Sequence, residues 1–240
     1  MSAGDFSHPS WAAGNAGPNM REERAPIQAE TKSEGANCLE FGDAKLSGHP
    51  IDAAQWDLEY QRGRWNYLRG VSESGRHAVI AGYIHAFCAE ARILDVGCGE
   101  ARLLNHLCPC QLKHYTGVDI SRAALAAVVP RQGVTLVADD VEHFLTETRD
   151  TYDAIVLSEV LYYCATPMNI VQRCCALTTE QGILAVSMNQ PVDEDGSWRS
   201  IVDTIWKGLS GLSLPTLDDI VLHNTLTNQH WNIRVVRPRR

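Results

Sequence analysis

Acidic side chains stand at or just past the ends of several short apolar runs. Asp95 lies inside Ile93-Leu-Asp-Val-Gly97, Asp119 follows His114–Val118, and Asp139 and Asp140 follow Val134–Ala138. Glu159 follows Tyr152–Ser158. Between the first two acids lies Gly97-Cys98-Gly99, where paired glycines permit a sharp turn and close approach to the backbone. Asp119 comes 20 positions after Gly99, where a carboxylate at a strand end accepts hydrogen bonds from ribose hydroxyls. The chemistry suggested is the gripping of a nucleoside.

A dinucleotide pyrophosphate fits poorly. The fingerprint G-x-G-x-x-G brings the pyrophosphate against a helix N-terminus, and here Arg102 replaces the third glycine. Asp95, two residues before Gly97, would repel a phosphate and attract an ammonium group. A nicotinamide oxidoreductase is therefore disfavoured, and a nucleoside bearing an amino group near the glycine turn is favoured. Each acid has a plainer alternative. Asp95 could satisfy backbone donors of the turn, Asp119 could cap the following helix, and Asp139 and Asp140 could form an acidic helix N-terminus.

With these motifs in order, the sequence resembles the class I S-adenosylmethionine (SAM) methyltransferases. The resemblance spans about Ala91 to Met188 and rests on Asp95-Val-Gly97-Cys-Gly99-Glu-Ala101, Asp119, Asp139-Asp140-Val141-Glu142 and Tyr152–Tyr163. Ala101 stands where many members have glycine, which makes the turn less open. The resemblance implies SAM as cofactor. Gly97, Cys98 and Gly99 would underlie its methionine part, with Asp95 orienting its ammonium. Asp119, followed by Ile120, would take the ribose hydroxyls. Asp140 would accept from the adenine amino group, Val141 would address the ring through its backbone, and Asp139 is the second candidate for the adenine contact. Ser158 would meet the methionine portion.

The acceptor side is expected at Glu159, Tyr162 and Tyr163, the candidate catalytic residues. Either tyrosine could present its ring to a sulfonium or amine, or pack in the core. The fourth-strand segment looks like that of small-molecule methyltransferases of the nodulation-factor and secondary-metabolite type, which implies methyl transfer to N or O of a small molecule. The alternative is a protein of the same fold that does not methylate, a cyclase or an interaction module. No Asn/Asp-Pro-Pro-Tyr/Phe signature follows the fourth strand, and Lys+Arg 21 against Asp+Glu 29 gives a net −8. Both argue against a nucleic-acid partner. Upstream, the aromatics from Trp56 to Tyr67 form a lid over the site or a brace on the sheet, the lid being favoured by analogy. Trp198 and Trp206, on the helix before the final hairpin, are a second place for acceptor contacts, though their spacing of eight also fits one buried face, the favoured reading.

The elements that must position these residues follow from periodicity. Helices are expected over Gly75–Cys88, Ala101–Leu107, Arg122–Val128 (with Ser121 as N-cap), Val141–Thr148, Asn169–Leu177 and Trp198–Leu209. Strands are expected over Ala91–Val96, His114–Asp119, Val134–Ala138, Tyr152–Leu157, Gly182–Met188, Leu217–His223 and His230–Val236. This alternation predicts an α/β fold: a doubly wound, mainly parallel seven-stranded sheet, Rossmann-like, ending in an antiparallel hairpin. The expected organisation is a mostly disordered extension over residues 1–50, a helical lid or cap over 51–90 and the SAM-binding core over 91–240. No apolar run of spanning length and no secretory signal are evident, so a cytoplasmic protein without a membrane partner is expected. The eight cysteines are then expected as reduced thiols, and the histidines, lacking ligand spacing, as structural or surface groups rather than metal ligands.

Overall fold

The computed structural model describes residues 52–190 and 197–238. The expectation for residues 1–50 lies outside the described residues, as do Arg239 and Arg240. Two helices lead in: α1 (Ala53–Gln61), then a 3-10 turn at Asn66–Arg69, then α2 (Val71–Phe87). The alternating core follows as β1 (Ala91–Val96), β2 (Leu112–Asp119), α3 (Arg122–Ala126), β3 (Val134–Ala138), α4 (Val141–Glu147), β4 (Tyr152–Ser158), α5 (Pro167–Leu177), β5 (Thr178–Gln190), α6 (Ser197–Gly211), β6 (Thr216–Asn224) and β7 (Gln229–Val236). The seven strands form one sheet in the order β3-β2-β1-β4-β5-β7-β6. Pairing is parallel from β3 through β5. It turns antiparallel at β7 and β6, so the expected hairpin closes one edge.

The central strands are buried on both faces, which is why they read as continuous apolar runs rather than as alternation. Side chains still point alternately to opposite sides. Leu94, Val96, Ile155, Leu157, Leu184 and Val186 pack on one face, beneath residues of α4, α5 and α6. Ile93, Ala154, Val156, Ile183 and Ala185 pack on the other, beneath Ile80, Ala81 and Ile84 of α2 and beside Trp231 and Ile233 of β7. Helix starts obey local chemistry. Asp52, Ser121 and Asp140 each accept from backbone N–H groups of the turn they open.

Two expectations are corrected. The helix expected over Ala101–Leu107 is only a 3-10 turn, Arg102–Asn105. Ala101 occupies the left-handed region at φ 50°, which a residue entering an α-helix cannot do, and Pro109 follows closely. The cysteines are not all free: Cys108 and Cys110 are disulfide-linked. The 3-10 turn at Pro109–Gln111 brings their Cα atoms to 5.4 Å, within bridging range.

Gly117 and Gly82 give opposite expectations. A Cβ at Gly117 would lie 2.8 Å from Cys98 Sγ and 2.9 Å from Tyr115 Cε1. Gly117→Ala should destabilise by about 1–3 kcal/mol through overpacking. A Cβ on Gly82, inside α2, meets nothing within 4 Å. Gly82→Ala should stabilise by about 0.5–1 kcal/mol. Urea unfolding of the two variants reads both signs.

Candidate active site

The C-terminal ends of β1 to β4 open on one cavity of about 480 Å³. Its floor is the turn after β1. Gly97, Gly99 and Ala101 take positive φ values of 68°, 53° and 50°. Gly97 and Cys98 donate their backbone N–H groups to Val118 O at 2.8 and 3.0 Å, tying the turn to β2. The space left by each missing Cβ is filled: a Cβ on Gly97 would lie 2.8 Å from Val160 Cβ, and one on Gly99 would lie 2.7 Å from Tyr60 Oη.

Asp119 is held from two sides. Its carboxylate accepts from Gly99 N at 2.7 Å and from Ser121 N at 2.8 Å. Burial pushes its pKa up, and these two backbone donors pull the other way. Ser121 Oγ donates to Asp57 of α1 at 2.7 Å, and Ala123 N donates to the same carboxylate oxygen at 2.9 Å. The backbone donor of Ala123 is the main reason that the Asp57 pKa is lowered. Asp95 is 4 % exposed and accepts from Tyr115 Oη at 2.6 Å. Desolvation raises its pKa to about 7, against the partial opposition of that hydroxyl.

The expected residues do not all arrive. Asp95, Gly97, Cys98, Gly99, Asp119, Ile120, Asp140, Val141, Ser158, Glu159, Tyr162 and Tyr163 line the cavity, and Asp139 does not. The Asp139 carboxylate instead receives Asp140 N at 2.9 Å and pairs with His143 Nδ1 at 2.8 Å. That pairing raises the His143 pKa. Asp140 lines the cavity yet also caps α4, accepting from Glu142 N at 2.8 Å and His143 N at 3.0 Å.

Glu159 sits in the left-handed region at φ 59°. Its carboxylate accepts from Tyr162 Oη at 2.8 Å, Ser187 Oγ at 3.0 Å and Asn189 N at 2.8 Å. Burial nonetheless lifts its pKa. Tyr162 both packs on the core and lines the cavity, as do Tyr163 and Trp198. Trp198 crosses Tyr162 with centroids 4.5 Å apart at the cavity, so the two tryptophans do not share one wholly buried face. Trp206 keeps to the core side, beneath the Arg234 guanidinium. Trp56, Tyr60, Trp65 and Tyr67 line the cavity as well. Neither His223 nor His230 reaches the cavity, and they stack on each other at 3.9 Å.

Sequence reasoning missed the contribution of α2 and β7. Glu73, Arg76 and His77 line the cavity from α2, and Gln229 and Trp231 line it from β7. Arg76 pairs with Glu73, stands 5.8 Å from the Trp231 ring centroid, and keeps a buried Nε with no hydrogen-bond partner among the described residues. His77 is held neutral, its pKa lowered to about 3 by burial and by Arg76. A signal was available: Glu73 and Arg76 occupy the same helical face as Ile80 and Ile84, where a charge must find a buried partner.

Three comparisons bear on this geometry. Residues 73–222 match the family model for a methyltransferase domain, and the chain belongs to that family. A ubiquinone biosynthesis O-methyltransferase of Histophilus somni is 32% identical over 107 residues, and the chain spans 44% of that relative's length while 41% of this chain takes part. The crystal structure of the N-methyltransferase NodS from Bradyrhizobium japonicum WM9, in complex with S-adenosyl-L-homocysteine, matches with TM-score 0.61 at 18% identity, covering 72% of this chain and 91% of that one. The 1,6-didemethyltoxoflavin-N1-methyltransferase of Burkholderia thailandensis, with 1,6-didemethyltoxoflavin and S-adenosylhomocysteine bound, matches with TM-score 0.59 at 16% identity, covering 94% of this chain and all of that one. At these identities the structures share the fold.

The buried Asp95 sets a pH-dependent expectation. A carboxyl whose pKa rises from 3.8 to about 7 on folding binds its proton more tightly in the folded state. Stability from this group is complete below the unfolded value and is lost as pH rises from about 4 to about 7. Asp95→Asn can still accept from Tyr115. It should therefore melt at a higher temperature than the wild type at pH 8 and alike at pH 4. Thermal unfolding of the ligand-free protein at both pH values decides it.

Proposed function

We propose that this protein transfers a methyl group from SAM to a nitrogen or oxygen of a small molecule. The observation that carries this reading is the convergence of Asp95, Asp119 and Asp140, from three successive strand ends, on one cavity with the glycine turn as its floor. When bound, SAM supplies an electrophilic methyl on a positive sulfonium. The residues suit its three polar parts. Asp119 faces the ribose, with its rotamer fixed by Gly99 and Ser121. Asp140 keeps one carboxylate oxygen beyond those it uses as a helix cap, and with the Val141 backbone it addresses the adenine edge. Asp95 faces the ammonium group, alone or through water. Arg76, absent from the sequence reading, is the fitting partner for the methionine carboxylate, because its buried Nε–H needs an acceptor. Ser158 Oγ, buried and also without a partner among the described residues, adds a second polar group there.

In-line displacement depends mostly on positioning and on exclusion of water. We assign the second task to α1 and the Asn66–Arg69 turn as a lid. Trp56 meets Tyr163 edge-on at 5.0 Å, and Arg69 pairs with Glu100 of the glycine turn, its Nε 2.9 Å from Glu100 Oε2. No helix among the described residues is long and apolar enough to cross a membrane. A net charge of −8 supports a small acceptor over nucleic acid. No feature of the cavity favours a cyclase or an interaction module over transfer.

Calorimetry with S-adenosylhomocysteine tests the donor site. Asp119→Ala should weaken binding by about 2 kcal/mol, roughly thirtyfold, since it leaves ribose hydroxyls unpaired in a closed site. Gly97→Val should abolish binding, because its side chain needs both the left-handed backbone and the space held by Val160. Unchanged affinity in either variant, with native circular dichroism, would move the donor site elsewhere.

A further inference from the structure

Once the donor's polar groups are assigned, the remaining wall of the cavity is aromatic and acidic. Tyr162 meets Tyr163 at 4.6 Å and 71°, and meets Trp198 at 4.5 Å and 61°. Tyr163 meets Trp56 at 5.0 Å and 90°. Crossing at such angles is also ordinary aromatic packing, but it leaves several electron-rich rings around one cavity, and such rings attract a cationic group. Glu159 lies at the foot of this chain, joined to it through Tyr162 Oη. Among the described residues its Oε1 accepts one hydrogen bond, from Ser187, so a lone pair remains. The residue is kept in a left-handed conformation, with its N–H donated to Ser187 O at 2.9 Å. A non-glycine residue holds that conformation only where its surroundings over-determine it, and such places cluster at functional sites.

The charge balance sets the sign of the acceptor. The acids lining the cavity are Glu73, Asp95, Glu100, Asp119, Asp140, Glu142 and Glu159, and the cationic side chains are Arg76 and Arg102. Arg76 pairs with Glu73, also attracts the Glu159 carboxylate and, in the donor reading, takes the methionine carboxylate. Arg102 Nη2 donates to Arg69 O at 3.2 Å. His77 is neutral. Among the described residues lining the cavity, acids thus outnumber cationic side chains seven to two, and an anionic acceptor would face the Glu159 carboxylate.

We propose that the acceptor is a primary or secondary amine, received as its ammonium form by Glu159 and by the rings of Tyr162, Tyr163 and Trp198. This rests on the methyl-transfer reading above. Glu159 takes one proton from the ammonium, which frees the nitrogen lone pair. That pair forms the new C–N bond to the SAM methyl while the C–S bond breaks and its electrons stay on sulfur. The products are the methylated ammonium, S-adenosylhomocysteine and a proton that leaves Glu159 for water. Glu159 acts here as a base in direct contact with substrate, and Tyr162 positions it.

The full chain is incubated with methyl-labelled SAM and three pools of small molecules matched in size: primary and secondary amines, phenols, and carboxylic acids. Label should enter the amine pool at least about tenfold faster than either other pool. Glu159→Gln should slow amine methylation by about a hundredfold, while its affinity for S-adenosylhomocysteine stays within about twofold. If Glu159→Gln does not fold, Tyr163→Leu carries the test, with an expected loss of about tenfold in amine methylation. Label entering phenols or acids instead, or amine methylation unmoved by the substitution, overturns the proposal. Label in no pool, with S-adenosylhomocysteine still bound, overturns it equally. Failure to bind S-adenosylhomocysteine brings down the donor reading beneath it, which is a separate and recognisable result.

Discussion

The Asp119 carboxylate, bound at once to Gly99 N and Ser121 N, is the contact on which the site depends. A partly buried carboxylate is costly unless donors surround it, and a hydrogen bond to a charged group returns about 1.5–3 kcal/mol. Here the donors are backbone groups, so the same contact fixes the left-handed turn after β1 and the entry into α3. It also extends outward. Ser121 passes its hydroxyl to Asp57, which in turn accepts from Ala123 N, so α1 is registered against the N-terminus of α3. Floor, rim and outer wall thus share one set of bonds.

The other acids of the cavity are built on the same plan, each with its own donor. Asp95 has Tyr115 Oη, Asp140 has the first turn of α4, Glu142 has Thr166 N at 3.0 Å, and Glu159 has Tyr162, Ser187 and Asn189. Like charges gathered in one cavity repel, and Asp119 adds to the rise of the Asp95 pKa. A ligand with positive centres relieves that repulsion. Preorganised carboxylates need no reorientation when such a ligand arrives, which is how a fixed electrostatic environment favours one charge pattern over another.

Much of this was legible because parallel strands buried on both faces leave a strong trace. β1 and β3 end where the apolar runs end, and Asp119, expected at a strand end, closes β2 and lines the cavity. Ser121 reads as a cap and is one. What failed was local. Ala101 looks like a helix start, but the chain crosses it left-handed, which side-chain type alone does not reveal. Asp140 is the first choice over Asp139 in the sequence, and the rotation of the chain into α4 sends Asp140 towards the cavity and Asp139 to His143. Arg76, Glu73 and Trp231 were missed because periodicity places residues on a helix or strand and does not say which distant element they meet. Trp231 comes from β7, next to β5 in space and far from it in sequence.

The outer wall differs from the floor in how it is held. Most of the first turn of α1 is exposed, Leu58 is 37 % exposed and Tyr67 51 %. Leu58 and Tyr67 leave apolar area in solvent, and the segment is held among other contacts by Asp57 at α3, by Arg69 at Glu100 and by rings that meet around the cavity. Segments with few buried apolar contacts open at low cost in free energy. Tyr60 Oη lies against Gly99 and Trp56 against Tyr163, so whatever fills the cavity must also pack under these rings. In the methyl-transfer reading, donor and acceptor would add apolar contact to this segment. Closure would then follow from ligand binding, and the water-free environment that displacement at a sulfonium requires would form only with both partners present.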